Sequence, residues 1–543
     1  MVLTPAITDN LHFLIAEVKT HLGHLQSFFA HGTVANAHRL LERSGHAYNL
    51  NLRVQNACMK HIALQSNEHS MSYRAVGRIA NELERIAELA RECLQQMNFL
   101  HTGARLDLSV FTPLLEKVDK SIDLISRALK DRDTQLALKL GKTERKLEKS
   151  YKKLVSQYTR QLKKKKHTED LVSGLFIAHA IEQMGDALLN ISDSIISGHM
   201  GQPLDLQRYS SLRDTINNWL EEDLATQLRV TPLAETRSGS GISTIDNPSD
   251  EKWQRLVYKD GSKRKLKEEL QGVNRWHDVY PGVAPHIHTY QKQGDNAALI
   301  IEHLNGETFE QLVINSPQKR RKKAMTCLKK TLNNIWQQTY TAESHPAHFM
   351  AQTLKRLPDV YSVHPQFKQQ RQYLGAHPIE SFDALVKKAQ KKEEKLIAPF
   401  SVFIHGDFNV DNIIYDPEAG KINFIDLHRS CHMDYVQDAS VFMVSNYRLQ
   451  VLDEPVRRRI RDQVEQFYVI VRGFADKHND DTFEIRLALG LARSFVTSTR
   501  FILDHTMATR MFLKARYLLE QINQLSRKQI RDYRVPLREL FSD

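Results

Sequence analysis

Phe403-Ile404-His405-Gly406-Asp407-Phe408-Asn409-Val410-Asp411-Asn412, followed by Ile422-Asn423-Phe424-Ile425-Asp426, is the stretch on which the reading of this chain turns. An apolar lead-in delivers His-Gly-Asp, an Asn stands five residues after that Asp, and a second apolar run ends in another Asp. Singly, Asp and Asn are common turn formers and His405 is an ordinary loop residue. Jointly they are a set suited to phosphoryl transfer. One carboxylate orients an attacking hydroxyl, and an amide oxygen and a second carboxylate hold magnesium against nucleotide phosphates.

Working upstream, the other parts of such a site can be sought. The Asp407–Asn412 interval is that of the kinase catalytic loop, and Asp426 falls where the metal-binding Asp of kinases stands. Ser238-Gly239-Ser240-Gly241-Ile242-Ser243 reads as a flexible loop whose backbone amides, at Ser240 and Gly241, could drape over phosphates. Gln254 to Lys259 reads as a short strand ending in Lys259, the candidate phosphate contact. The helix expected from Lys263 to Trp276 offers Glu268 and Glu269 as partners for that Lys. Glu269 shares a helical face with Val273 and Trp276 and is preferred. Ala298 to Gly306 reads as a buried strand leading to a hinge beside the nucleotide base, with Glu302 among the cofactor-binding candidates.

The stretch 230–530 resembles the aminoglycoside phosphotransferase and choline kinase group, whose loop reads His-Gly-Asp where protein kinases have His-Arg-Asp. The resemblance implies a two-lobed protein-kinase-like fold using ATP and magnesium. By it Asp407 is the catalytic base, Asn412 and Asp426 are magnesium ligands, and Lys259 contacts phosphate. His405 and Asp438 brace the loops, Asp438 matching an Asp that follows the metal Asp by about a dozen residues in that group. No Ala-Pro-Glu follows Asp426, which points to a small-molecule hydroxyl rather than a protein as acceptor. The helical tail Val441–Asp543 supplies the acceptor pocket by the same resemblance. It holds 18 Lys or Arg against 13 Asp or Glu, a balance of +5. That balance argues against a polycationic acceptor and leaves a sugar, an amino alcohol or a phosphorylated metabolite.

The first two hundred residues read differently. Apolar residues recur at helical spacing, as in Leu83, Ile86, Ala87, Ala90, and breaks near Gly32, Ser66, Thr102, Asp131 and His167 divide the stretch into about six helices. Ile79–Glu88 has a partner in Ile177–Asp186, offset by 98 residues, so the segment reads as a tandem of two three-helix bundles. It resembles the PhoU family over roughly residues 8–200. Glu182-Gln183-Met184-Gly185-Asp186 with Asn190 follows that family's third-helix signature, while the first copy departs, with Ala87 and Glu88 for Gly and Asp. The resemblance makes Glu84, Glu88, Glu182 and Asp186 candidate ligands for iron or zinc. It also implies phosphate-transport or signalling proteins as partners. The alternative is that these carboxylates are polar-face residues, two of them paired to Arg85 or a neighbouring Lys.

The fold expectation is therefore multidomain, α and then α+β. Residues 1–200 form the PhoU-like tandem, 201–235 a connector with one helix, 236–310 the small lobe, and 311–543 the large lobe with a helical substrate-pocket region. Composition bounds the rest. The chain has 543 residues and a net charge of +12, from 76 basic and 64 acidic residues. Its basic runs lie beside acidic residues without interleaved aromatics, so they read as solvated helix faces and no nucleic-acid partner is expected. No apolar run reaches the ~18 residues of a membrane span. The four scattered cysteines read as reduced thiols of a cytoplasmic protein. The assembly is open between monomer and homodimer. Against the small-molecule kinase stand two other readings, a non-catalytic nucleotide-binding regulator of phosphate signalling and a nucleic-acid-associated protein.

Overall fold

The computed structural model describes residues 3–32, 34–43, 45–64, 70–100, 106–131, 133–201, 206–219, 229–235, 241–247, 253–396, 398–526 and 528–542. The chain divides into two compact units, Met1–Asp260 and Gly261–Asp543. That division lies inside the segment 236–310 read from sequence as one lobe.

The first unit opens with α1 (Pro5–His31), α2 (Val34–Glu42), α3 (His46–Leu64) and α4 (Ser70–Gln95). Then come α5 (Thr112–Lys130), α6 (Thr134–Leu162) and α7 (Thr168–Met200). α1, α3 and α4 pack together, α5, α6 and α7 do likewise, and α4 lies against α7. The two copies of the repeated sequence thus sit on helices that share one core, in which Ile79, Leu83, Ile86, Ile177, Ile181 and Met184 are all buried. A glycine makes the tighter contact in the second copy. A Cβ at Gly185 would meet Glu144 Cα at 3.3 Å and Leu147 Cδ1 at 3.1 Å, so α7 approaches α6 nearly backbone to backbone. The extra helix α2 was not expected. It exists because Gly45, at φ +90°, turns the chain between α2 and α3.

A single helix, α8 (Leu206–Trp219), follows as expected, earlier in the sequence than the Leu212–Leu224 span read for it. The connector then departs from the reading, because β1 (Arg229–Glu235) pairs antiparallel with β2 (Gly241–Asp246). The register shifts between Pro232 and Ala234, the irregularity by which a strand with one neighbour accommodates a proline. Gly241 to Ser243, read as part of a flexible loop, are therefore strand, and Ser240 lies outside the described residues. The β-branched run Ile242, Thr244, Ile245 outweighs the small residues before it. β3 (Leu256–Ser262) pairs with β2 and runs three residues beyond Lys259.

In the second unit α9 (Lys263–Val279) buries Leu266, Glu269, Gly272, Val273 and Trp276, one stripe at three- and four-residue spacing. The hairpin β4 (Ile287–Gln293) and β5 (Asn296–Glu302) follows, and β6 (Glu307–Thr308) leads into α10 (Phe309–Asn315), closed by a Thr308–Gln311 capping box. Then come α11 (Gln318–Gln338), α12 (Phe349–Val363), the hairpin β7 (Gln372–Leu374) and β8 (His377–Ile379), and α13 (Phe382–Glu393). β9 (Val402–Ile404), β10 (Ile413–Asp416), β11 (Lys421–Phe424) and β12 (Cys431–Met433) carry the His-Gly-Asp stretch. α14 (Val436–Tyr447), α15 (Glu454–Lys477), α16 (Phe483–Ser498), α17 (His505–Gln524) and α18 (Leu537–Phe541) complete the chain. β10 pairs with β11 and β6, and β9 pairs with β12, all antiparallel. Phe403, Phe408, Phe424, Phe442 and Trp276 interlock beneath these short strands, and α16 is buried from Phe483 to Val496.

Candidate active site

Strand β9 delivers the catalytic loop into a scaffold of buried hydrogen bonds. Asp438, on the first turn of α14, accepts the backbone N–H of His405 at 2.7 Å on one oxygen and of Gly406 at 2.8 Å on the other. Burial pushes its carboxyl up from 3.8 to about 7, against the pull of those two N–H groups. His405 is also buried. Its Nε2 faces the Ile425 carbonyl at 2.9 Å and its Nδ1 accepts the Asp407 N–H at 3.3 Å, so the hydrogen bonds select the neutral tautomer protonated on Nε2. Burial lowers its pKa in the same sense. Gly406 sits at φ +82°, and a Cβ there would lie 2.4 Å from the Arg429 carbonyl oxygen, so only glycine passes.

Asp407 emerges half-buried from this frame. Asn409 Nδ2 donates to its Oδ1 at 2.9 Å, and Arg429 Nη1 lies 3.2 Å from its Oδ2. Asn412 Nδ2 donates to the Asp407 carbonyl at 2.9 Å, which commits the amide nitrogen and leaves the amide oxygen as the ligand-capable end. The Ile425 N–H donates to the Asn412 carbonyl at 3.1 Å, tying the residue before Asp426 to the catalytic loop. Asp426 is held in the left-handed region at φ 62°, with His428 Nδ1 3.3 Å from its Oδ1. An amide oxygen and a carboxylate on adjoining loops are the hard donors magnesium takes, so the residues present fit that ion.

Helix α9 braces the turn after Asp426. Trp276 Nε1 donates to Ser430 Oγ at 2.7 Å, and that hydroxyl donates to the His405 carbonyl at 3.1 Å. Glu269 is buried on this helix while Glu268 is exposed beside Arg264, as the shared face with Val273 and Trp276 requires. Lys259 is half-buried on β3, registered opposite Ile242. The Gly241 N–H donates to Asp260 Oδ1 at 2.8 Å, so this amide is committed inside the strand pair. Glu302, at the end of β5, accepts the His286 N–H at 2.9 Å. Asn409, Arg429, Ser430 and the buried Arg493 of α16 belong to the neighbourhood of Asp407 and were not read from sequence.

In the helical unit the candidate ligands do not assemble. Glu84 accepts a short hydrogen bond from Asn51 Nδ2, and Glu88 is exposed 3.6 Å from Arg91. Glu182 lies 3.3 Å from His179 Nδ1, and burial, then the charge of Asp186, raise its pKa. Among the described residues no group of three or more His, Cys, Asp or Glu side chains is placed to hold a metal, so the expected iron or zinc finds no site there. No helix among the described residues is long and apolar enough to cross a membrane.

Comparison with known proteins agrees with this two-part organisation. Residues 249–474 match the sequence model of the phosphotransferase enzyme family, and residues 111–195 match that of the PhoU domain. The two matched segments are thus similar to a PhoU domain and, after it, to the phosphotransferase enzyme family. The PhoU match covers the second sequence copy, the one with Gly185 and Asp186 in place. Among solved structures, an aminoglycoside-3'-phosphotransferase of type VIII is similar at 14% identity, over 53% of this chain and 98% of its own, with a TM-score of 0.37. Choline kinase from Cryptosporidium parvum is similar at 14% identity, over 62% and 100%, with a TM-score of 0.36. The phosphate transport system regulatory protein PhoU from Streptococcus pneumoniae is similar at 12% identity, over 37% and 96%, with a TM-score of 0.35. No curated protein sequence matches the chain.

Proposed function

We propose that this protein is an ATP- and magnesium-dependent phosphotransferase acting on the hydroxyl of a small molecule, with the PhoU-like part as a regulatory element linked to phosphate signalling. The functional divisions we propose are 1–200, 201–235, 236–310 and 311–543. The observation that carries the reading is the Asp407 carboxylate, held by Asn409 and Arg429 on a loop that Asp438 and His405 lock from behind.

In this reading Asp407 orients the acceptor hydroxyl and takes its proton as the oxygen bonds to the γ-phosphorus. The bond from that phosphorus to the bridging oxygen breaks, and ADP leaves with the electron pair. Asn412 and Asp426 would hold magnesium, which when bound would supply neutralisation of the phosphate charge. We assign Lys259 to the phosphates, and Glu269, Gly241 and Glu302 to cofactor binding. Asn412 holds the Asp407 carbonyl, and His405, kept neutral, holds the Asp407 N–H, so the base keeps one orientation.

The test is acceptor-dependent ADP release from purified protein with ATP, magnesium and fractionated metabolite pools. Asp407→Asn should lower that release by about 10²-fold or more while leaving the melting temperature and ATP binding in place. Unchanged release would sink the mechanism. Tight ATP binding without turnover across the pools would select the non-catalytic regulator instead.

A further inference from the structure

Helix α16 carries two buried arginines seven residues apart, hence two turns apart on one face. Their surroundings differ. Arg486 forms short ion pairs with both Asp434 and Asp480 and lies over the Tyr435 ring at 5.8 Å, so its charge is matched inside the fold. Arg493 is 8% exposed, and its Nη1 donates to Ser494 Oγ at 3.2 Å. Its Nε and Nη2 are buried with no hydrogen-bond partner among the described residues. Burial lowers its pKa to about 10, opposed first by the charge of Asp407 and less by that of Asp438. A guanidinium has five donors and no acceptor, and leaving them unpaired away from water costs free energy that a native fold seldom spends without return.

The packing that puts Arg493 there is tight. A Cβ at Gly490 would meet Ser440 Cβ at 2.9 Å and Phe349 Cε1 at 3.2 Å, so α16 is pressed onto α14 and α12 one turn before Arg493. Ser494 Oγ reaches Ser440 Oγ at 3.3 Å, two residues beyond Asp438. The turn that follows α16 is fixed by His364, whose Nε2 faces the carbonyls of Thr499 at 2.9 Å and Ile502 at 3.0 Å. That turn carries Arg500, whose Nη1 lies 3.4 Å from Asp359 and whose Nε is buried without a partner. Arg493 and Arg500 both feel the positive charges of Arg356, on α12, and of Arg429, which touches Asp407. Four arginines are therefore electrostatically linked, Arg429 in contact with Asp407 and Arg500 with Asp359, and the charge of Asp407 acts on Arg493.

We propose that Arg493, with Arg500 and Arg356, is a receptor for an oxyanion on the acceptor, so that the molecule phosphorylated at Asp407 is an alcohol already bearing a phosphate or a carboxylate. This rests on the phosphotransferase reading and narrows its substrate class. The unpartnered Nε and Nη2 form one edge of the guanidinium, the edge that grips an oxyanion through two parallel hydrogen bonds. A cationic group would leave those donors unmet, and a neutral oxygen would meet them with weaker hydrogen bonds than an oxyanion.

The test uses the full chain with a non-hydrolysable ATP analogue and magnesium saturating, so that the γ-phosphate position is filled, and titrates inorganic phosphate or acetate by calorimetry at constant ionic strength. Saturable binding of one of these anions to the wild type is expected, with the stronger of the two identifying phosphate or carboxylate as the group received. Arg493→Met should weaken it about tenfold or more, the loss expected when hydrogen bonds to a charged group go. Arg493→Lys should recover part of it, and both variants should keep the analogue affinity. If Arg493→Met does not fold, Arg500→Gln and Arg356→Gln carry the same expectation. No saturable anion binding to the wild type, binding unchanged in the folded variants, or a loss of analogue affinity instead would each overturn the proposal. Asp407→Asn should keep saturable anion binding, at equal or higher affinity with one negative charge removed, while losing transfer, so failure of the receptor and failure of the catalytic reading give different results.

Discussion

Asp438 holds a buried carboxyl whose two oxygens are both spent on backbone N–H groups of the catalytic loop, and its protonation is therefore a property of that loop. Its pKa stands at about 7 in the fold against an ordinary value of 3.8, with burial the largest cause. Between those values the folded chain holds a proton that the unfolded chain has released. Stability from this group is thus full below about pH 4 and is lost as pH rises through about 7. The span is on the order of 4 kcal/mol. Asp438→Asn removes the titration but presents an NH₂ where one loop N–H needs an acceptor. Melting curves across pH should show the wild type losing stability relative to Asp438→Asn between pH 4 and 7. Turnover of the variant should fall about tenfold, from the unmet loop N–H. A pH-independent difference in melting temperature would remove Asp438 as the titrating group.

At the scale of the element, the catalytic loop depends on α9 as much as on its own residues. Gly272 lies where a Cβ would fall 2.1 Å from the Leu427 carbonyl oxygen, so the helix touches the turn after Asp426 without a side chain between. Gly272→Ala should cost about 1–3 kcal/mol through overpacking, read as a lower denaturant midpoint. Because the displaced turn carries Asp426 and Arg429, activity should fall more than the loss of folded protein explains. An unchanged midpoint would show that the turn yields freely. The helix itself was legible in sequence, since Glu269, Val273 and Trp276 recur at three- and four-residue spacing and the structure buries all three. Asp438 was singled out in sequence as bracing the loops, by its distance from Asp426, and in the structure its carboxyl accepts the His405 and Gly406 N–H groups. Arg493 was not, because the charge of Asp407 that acts on it comes from a residue far away in the chain. A signal existed in Leu489-Gly490-Leu491-Ala492-Arg493-Ser494-Phe495-Val496, where one charge interrupts an apolar run too continuous for a surface helix. β1 escaped because Pro232 and the nearby Ser-Gly run lower strand propensity, while the pairing with β2 is a tertiary effect.

At the scale of the molecule, two compact units with separate hydrophobic cores imply two cooperative folding events rather than one. Substitutions at close approaches can label them. Gly272→Ala belongs to the second unit, and Gly185→Val, crowding Glu144 and Leu147 across α6 and α7, belongs to the first. Calorimetry should resolve two transitions, one lowered by each variant. Saturating ATP with magnesium should raise the transition that Gly272→Ala lowers, because a ligand stabilises the fold that binds it. The regulatory half of the proposed function adds a stronger requirement. If the helical part governs nucleotide binding, coupling is reciprocal, and nucleotide must also move the transition that Gly185→Val lowers. A shift confined to the transition that Gly272→Ala lowers would remove regulation by the helical repeat, and with it the phosphate contact proposed for Lys259 in the first unit, since sites that do not change each other's free energy cannot control each other's occupancy.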